Sequence, residues 1–433
     1  MPSDDEPKPQ QLKRVVGLPG AVMLGLGSIL GTGVFVSLLF AVQLAGNWGV
    51  FAVALAAVLA ICNGLSSAQL AASHPVSGGA YEYGYRFLTP TLGFNAGWMF
   101  LIAKGASAAT AALAFAECLR QLLPAVADID VRISAAATLA VVTGLVLSGV
   151  RRSVRVNTAI VALVLVSLGV FCASSLATSV WQISLSSDEF DLSRILHATA
   201  LCFVAYTGYG RVATMGEEIR EPAKNIPRAV IATLVVTSAV YLIVAGAVIA
   251  IVNSSTSLDL LQTSKSLDSL LAASDAGRTT TKIVASGAML AMFGVLLNLV
   301  LGLSRVALAM ARRNDLPSYF AGLSNDGDSP QRAVVFVAVL IGLLMLNGDV
   351  LRTWSMSAFA VLIYYATANL CALRQPIEER RYPRSVSVAG LAGCLGLAPF
   401  IDLKTIVGGA VLIVIGLLIK SVANFRQRKS PVA

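Results

Sequence analysis

Twelve apolar stretches separated by short polar segments run the length of the 433-residue chain. They cover approximately residues 15–40, 47–73, 92–122, 131–149, 155–180, 194–214, 228–253, 281–310, 332–347, 350–373, 385–401 and 403–423. A helix that crosses a bilayer needs about 20 predominantly apolar residues. The pattern therefore predicts an all-α integral membrane protein of about 12 transmembrane helices, the ninth and eleventh stretches being short. The longest polar interval, Asn253 to Thr280, is rich in Ser, Thr, Leu and Asp and is expected to carry a short helix over the outer face. No region reads as a separate soluble domain.

Two of these stretches are interrupted. The first contains Gly27-Ser28-Ile29-Leu30-Gly31-Thr32-Gly33-Val34-Phe35, with Gly25 just ahead of it. So many weak helix formers at mid-membrane depth mean either a broken helix or glycines that let neighbouring helices approach closely. The sixth, five stretches later, is broken again at Tyr206-Thr207-Gly208-Tyr209-Gly210. Corresponding interruptions in two halves point to a transporter made of two inverted five-helix repeats, here 15–180 and 194–373, with a site at their interface. Half-helix N-termini present N–H groups and a positive dipole end to a carboxylate. Exposed carbonyls on the facing ends suit an ammonium group, so the pair of breaks suits a zwitterionic amino acid.

Composition removes the soluble alternatives. The chain is 56% hydrophobic and 13% charged, with a mean hydropathy of +0.78. Its net charge of +9 is read through placement rather than as a nucleic-acid signal. With the N-terminus inside, 21 of the 32 Lys and Arg residues fall on cytoplasmic segments and eight on outer ones, and Lys104, Arg211 and Arg305 lie within or at the ends of spans. The positive-inside rule thus places both tails, 1–14 and 424–433, in the cytoplasm of a plasma-membrane protein. The six cysteines lack CxxC spacing and read as small apolar side chains, with no metal site or disulfide framework. The polar N-terminus precedes a stretch far longer than a signal-peptide core, so no cleavable signal is expected. There is no HExxH, GxSxG or P-loop, so neither an enzyme nor ATP-driven transport is indicated and no cofactor is implied.

The motifs resemble the amino acid–polyamine–organocation (APC) superfamily, particularly bacterial amino acid permeases. Gly27 to Phe35 matches the first-helix G-x-x-x-G-[ST]-G-[IV]-F of that superfamily. Pro75 to Tyr81 with Gly93 to Trp98 matches the loop into helix three, and Phe203 to Tyr209 with Glu217-Glu218 and Ile226-Pro227-Arg228 matches helix six and its exit. Ser304-Arg305 through Arg312, then Leu316-Pro317, resembles the end of helix eight. The resemblance implies a LeuT-type 5+5 inverted repeat with discontinuous helices 1 and 6 and two additional helices at 374–423. It further implies proton symport or exchange of amino acids by alternating access. Carried over by position, the substrate carboxylate would meet Gly31, Thr32 and Gly33. The ammonium would meet carbonyls near Ile29 and near Phe203, Ala205 and Tyr206, beside Gly208, with Phe203 or Tyr206 as an aromatic lid.

The chain departs from the family in helix five. Many proton-coupled members have a lysine there, tying helix one to helix eight, but counting on from Asn157 gives Val164. The intramembrane ionisable group is Lys104 of helix three instead, a functional-site hypothesis by default. It can carry a coupling proton, pair with the side-chain carboxylate of an acidic substrate, or snorkel to an interface. Asn298 of helix eight lines the pathway or bonds a neighbouring helix. Arg211 and Arg305 are read as gating or topology residues, and Glu217 and Glu218 either pair with Arg220 or Arg228 at an inner gate or lie in solvent. Small residues along helix three, Ala103, Gly105, Ala108 and Ala109, favour a neutral substrate. The expected partners are an amino acid, the lipid bilayer and protons. A membrane sensor that binds an amino acid without moving it is the alternative from another class.

Overall fold

The first predicted span begins as a helix at Leu18, with Pro19 in the opening turn where a missing N–H costs nothing, and ends at Ile29 (α1). The computed structural model describes residues 12–126, 128–179, 190–254, 264, 266–273, 277–324, 329–346, 350–401 and 403–429. After α1 the chain passes through Leu30 to Thr32, makes a π-helical turn at Gly33–Ser37 and continues as α2 (Leu38–Ala45). Then follow α3 (Gly49–Ser73), the short α4 (Ala80–Phe87), α5 (Pro90–Leu122), α6 (Val131–Leu147) and α7 (Val150–Thr178).

The sixth span is α8 (Leu192–Tyr206), a 3₁₀ turn at Thr207–Tyr209 and a single helical turn, α9 (Gly210–Thr214). Beyond it run α10 (Pro222–Ser254), the small α11 (Leu267–Ala272), α12 (Arg278–Arg312), α13 (Gln331–Met345), α14 (Val350–Arg374), α15 (Arg384–Leu397) and α16 (Leu403–Lys429). A helix covers each of the twelve predicted stretches. Six described segments are long and apolar enough to cross a membrane, and four shorter apolar helices accompany them. The amphipathic α4 had no counterpart among the predicted spans. The helix expected between residues 253 and 280 is α11, although 255–263, 265 and 274–276 lie outside the described residues.

Apolar side chains face outward as well as into the core, and a smaller set of polar ones is held within that apolar interior. Leu163, Val166 and Leu176 of α7, Val339 and Leu343 of α13, and Val411 and Leu418 of α16 are all more than half exposed. Meanwhile Asn157, Asn298, Ser304, Arg305 and Asn369 are completely buried. Hydrocarbon makes that distribution stable, since apolar side chains lose nothing by facing lipid whereas polar groups must find partners inside. At the centre α12 packs against α5 and α7, α10 against α3, and α14 against α5, with α1 threaded between α7, α10 and α12. Among the described residues no strand forms. Two isolated bridges, Val16 with Ile219 and Ser77 with Met215, pin two loops onto the segment after α9.

Candidate functional site

The two breaks lie against each other. A Cβ on Gly33 would come within 2.6 Å of the Ala205 Cβ, and one on Gly208 within 2.5 Å of the Ser28 carbonyl group. Only a residue without a side chain admits either approach. Neighbouring glycines of the first span answer to other helices: Gly25 faces Thr233 of α10, Gly27 faces Asn157 of α7 and Gly31 faces Val295 of α12. Both sequence readings of this stretch are therefore realised at once, a broken helix and close packing.

Breaking a helix leaves carbonyls without intrahelical donors, and in hydrocarbon they need others. Tyr241 of α10 supplies one hydroxyl to both breaks, 2.8 Å from the Ile29 carbonyl and 3.2 Å from that of Ala205. Tyr365 of α14 donates to the Thr207 carbonyl at 2.9 Å. A single hydroxyl proton is thus shared between two of the carbonyls that the sequence nominated for an ammonium group, those of Ile29 and Ala205.

Beside this junction is a cavity of about 30 Å³, lined by Ser28, Ile29, Thr32, Gly33, Lys104 and Ser107, with Val204, Ala205, Thr207, Val295 and Leu299 completing the wall. That is room for water-sized groups. Lys104 is 7% exposed, and its Nζ donates to Thr207 Oγ1 at 2.8 Å. Thr207 Oγ1 in turn donates to the Val204 carbonyl at 2.6 Å, and Ser107 and Ser357 share a hydrogen bond of 2.7 Å. No carboxylate pairs with Lys104 among the described residues. The snorkelling position does not apply, because this ammonium sits at the break of the sixth span.

Of the residues nominated from sequence, Ile29, Thr32, Gly33, Ala205 and Lys104 line the cavity, while Gly31, Phe203, Tyr206 and Gly208 do not. Phe203 is fully buried edge-on to Tyr365, with centroids 5.8 Å apart, and the Tyr206 ring packs tilted against Tyr241, with centroids 4.7 Å apart. Both rings are packed between helices in this conformation rather than over the cavity. Thr207, Tyr241, Val295 and Tyr365 were not singled out. A tyrosine or valine in an apolar stretch carries no sign of which helix it will face.

Asn298, for which sequence left two readings open, bonds its neighbours. Its Nδ2 donates to Asn157 Oδ1 at 2.5 Å, and Asn157 Nδ2 donates to the Met23 carbonyl at 2.6 Å. Asn157 thereby ties α1 to α12 two turns away from Val164, which is buried.

The polar layer beyond the cavity corrects the expected pairing. Glu218 pairs with Arg305 and Glu217 with Arg312, at 2.7 and 2.8 Å, not with Arg220 or Arg228, which are exposed. The reason is helical spacing. Arg305 and Arg312 are seven residues apart and lie on one face of α12, opposite the loop after α9. Glu217 also accepts from the N–H groups of Leu12 and Ser77, each at 3.1 Å, and Arg313 grips Glu82 of α4 at 2.6 Å. Burial pushes the Glu217 carboxyl up, but the Arg312 charge and these hydrogen bonds outweigh it and hold it below the usual carboxylate value. Arg211 is buried under Gly302, so neither arginine assigned to a helix end reaches water there.

The family model for amino acid permeases matches residues 20–431. An uncharacterised transporter of Mycobacterium tuberculosis is 36% identical over 99% of this chain and 96% of its own length. The branched-chain amino acid permease BcaP of Bacillus subtilis is 25% identical over 95% of this chain and 93% of its own. The serine/threonine exchanger SteT of the same organism is 25% identical over 92% and 90%. With its apolar, multi-pass helices, the chain belongs to the amino acid permease family of transporters, which are not enzymes.

Proposed function

We propose that this protein is a secondary active transporter of neutral amino acids, working by alternating access on a LeuT-type frame of two inverted five-helix repeats. In this reading residues 15–180 and 194–373 are the repeats, the last two helices are additions, and both termini are cytoplasmic. The observation that carries it is the contact of the two helix breaks, Gly33 on Ala205 and Gly208 on Ser28, beside a polar cavity. Two unwound segments at one depth put N–H donors and carbonyl acceptors within reach of one small zwitterion.

The substrate carboxylate is assigned to the backbone at Gly31, Thr32 and Gly33, and its ammonium to the carbonyls of Ile29 and Ala205, displacing the Tyr241 hydroxyl. Phe203, Tyr206 and Gly208 belong to the same moving segment. Two of the relatives are named for branched-chain and for serine or threonine substrates, all neutral, which supports that substrate class. For Lys104 we favour proton coupling, since the partner its ammonium meets among the described residues, Thr207, is neutral and leaves it free to gain and lose a charge. The absence of a carboxylate beside it among the described residues also sustains a second reading, an acidic substrate.

Radiolabelled amino acid uptake into proteoliposomes, with and without an inward proton gradient, tests this for the parent and Lys104→Ala. Coupling predicts loss of gradient dependence with exchange of neutral substrates retained. Loss of acidic substrates alone assigns Lys104 to recognition. Binding without uptake or exchange of any amino acid overturns transport in favour of a sensor.

A further inference from the structure

A second pocket, of about 250 Å³, opens at the turn between α6 and α7, remote in sequence from the breaks. It is lined by Lys13, Ser148, Gly149, Arg151, Arg152 and Arg155, with Glu218 also in its wall. Gly149 sits at φ +107, a conformation open to glycine, and α7 starts directly after it with no side-chain cap. The first N–H groups of this 29-residue helix have no intrahelical acceptor, and the residues that carry them, Val150, Arg151 and Arg152, line the pocket. None of Arg151, Arg152 and Arg155 has an ion pair or side-chain hydrogen bond among the described residues, and all three are exposed.

The residue before Ser148 belongs to a different cavity. Leu147 lines an apolar groove of about 550 Å³ with Tyr319, Phe320, Val335, Phe336 and Val339. Arg332 also lines that groove, with its guanidinium 4.3 Å above the Tyr319 ring. Consecutive residues at the C-terminal end of α6, Leu147 and Ser148, thus line an apolar groove and a basic pocket respectively. Their charge and polarity match one ligand with an anionic head and hydrocarbon tails.

We propose that this paired cavity is a binding site for an anionic phospholipid, its phosphate held by Arg151, Arg152, Arg155 and the α7 N-terminus and an acyl chain laid along the Leu147–Val339 groove. Basic pockets at the end of a helix bundle are suited to such head groups. The site also abuts the polar layer. The N–H groups of Val15 and Val16 donate to the Glu218 carbonyl, at 2.9 and 3.0 Å, so the segment that carries Lys13 is bonded to the residue that holds Arg305. A bound lipid would brace that segment against α7.

The test is lipid retention by the full-length protein in mixed phosphatidylcholine and phosphatidylglycerol micelles, counted by native mass spectrometry. The parent is expected to keep phosphatidylglycerol selectively. Arg151→Ala/Arg152→Ala/Arg155→Ala is expected to lose at least about tenfold in retention, by removal of three interfacial cations. Val335→Trp, which fills the groove and leaves every charge in place, is expected to lose retention too, with Val339→Trp standing in if that variant does not fold. Arg381→Ala, an exposed arginine of another loop, is expected to change nothing. Undiminished retention in the triple variant overturns the proposal, as does an equal loss in Arg381→Ala. Displacement of the lipid by millimolar inorganic phosphate, with both groove variants silent, also overturns it and identifies a site for soluble phosphate.

Discussion

Arg305 of α12 and Glu218 of the loop after α9 form a two-pronged ion pair whose side chains are 0% and 2% exposed. Its second bond, Nε to Oε2, is 3.2 Å long. Removing one member leaves the other charge buried alone, which costs about 3–5 kcal/mol, whereas removing both costs far less. Arg305→Ala and Glu218→Ala are expected to lower the thermal midpoint strongly, and Arg305→Met/Glu218→Leu to recover most of it. Equal losses in single and double variants, by fluorescence-detected melting in detergent, would contradict the pairing.

The same pair bears on transport. If the layer must open in each cycle, the apolar double variant keeps its fold but changes turnover. Substrate counterflow in proteoliposomes measures this, and unaltered turnover would remove the layer from the cycle.

Gly208→Ala forces a methyl group onto the Ser28 backbone, where neither chain segment can yield cheaply. Overpacking of this kind costs about 1–3 kcal/mol. Uptake should fall at least about tenfold if the breaks must touch. Gly169→Ala, whose methyl meets nothing within 4 Å, is the matched control and should transport normally.

Tyr241→Phe deletes the hydroxyl shared by the Ile29 and Ala205 carbonyls. A typical net hydrogen bond contributes about 1 kcal/mol, so the fold should survive with a modest fall in stability. A bound amino acid would then replace the lost donor, and saturating substrate should raise the melting temperature of Tyr241→Phe more than that of the parent. An equal or smaller rise would sever Tyr241 from the site.

Glu217 gives a pH dependence with a definite sign. Its folded-state value is held below the ordinary 4.5 by Arg312 and two backbone N–H groups, against the effect of burial. Its contribution to stability is therefore complete above the unfolded-state value and is lost as pH falls through the folded one. Melting curves between about pH 6 and pH 3 should show a steeper decline in the parent than in Glu217→Gln.

The sequence alone determined the membrane setting, the approximate spans, the two glycine-rich interruptions and the position of Lys104 within a span. Each is a property of local composition: length of apolar run, clustering of glycine, a cation where none belongs. The first-helix glycines and the Glu217-Glu218 pair were also legible, because glycine and charge are conspicuous against hydrocarbon-like sequence. What the tertiary structure alone decided is who meets whom. Glu218 found Arg305 rather than Arg220, Asn298 found Asn157, and Tyr241 reached both breaks, because partners on different helices are set by packing angles and helix rotation. A pattern of apolar positions leaves that rotation undetermined in a bilayer, where every face of a helix can be apolar, and only the few buried polar groups, each needing a partner, select one arrangement.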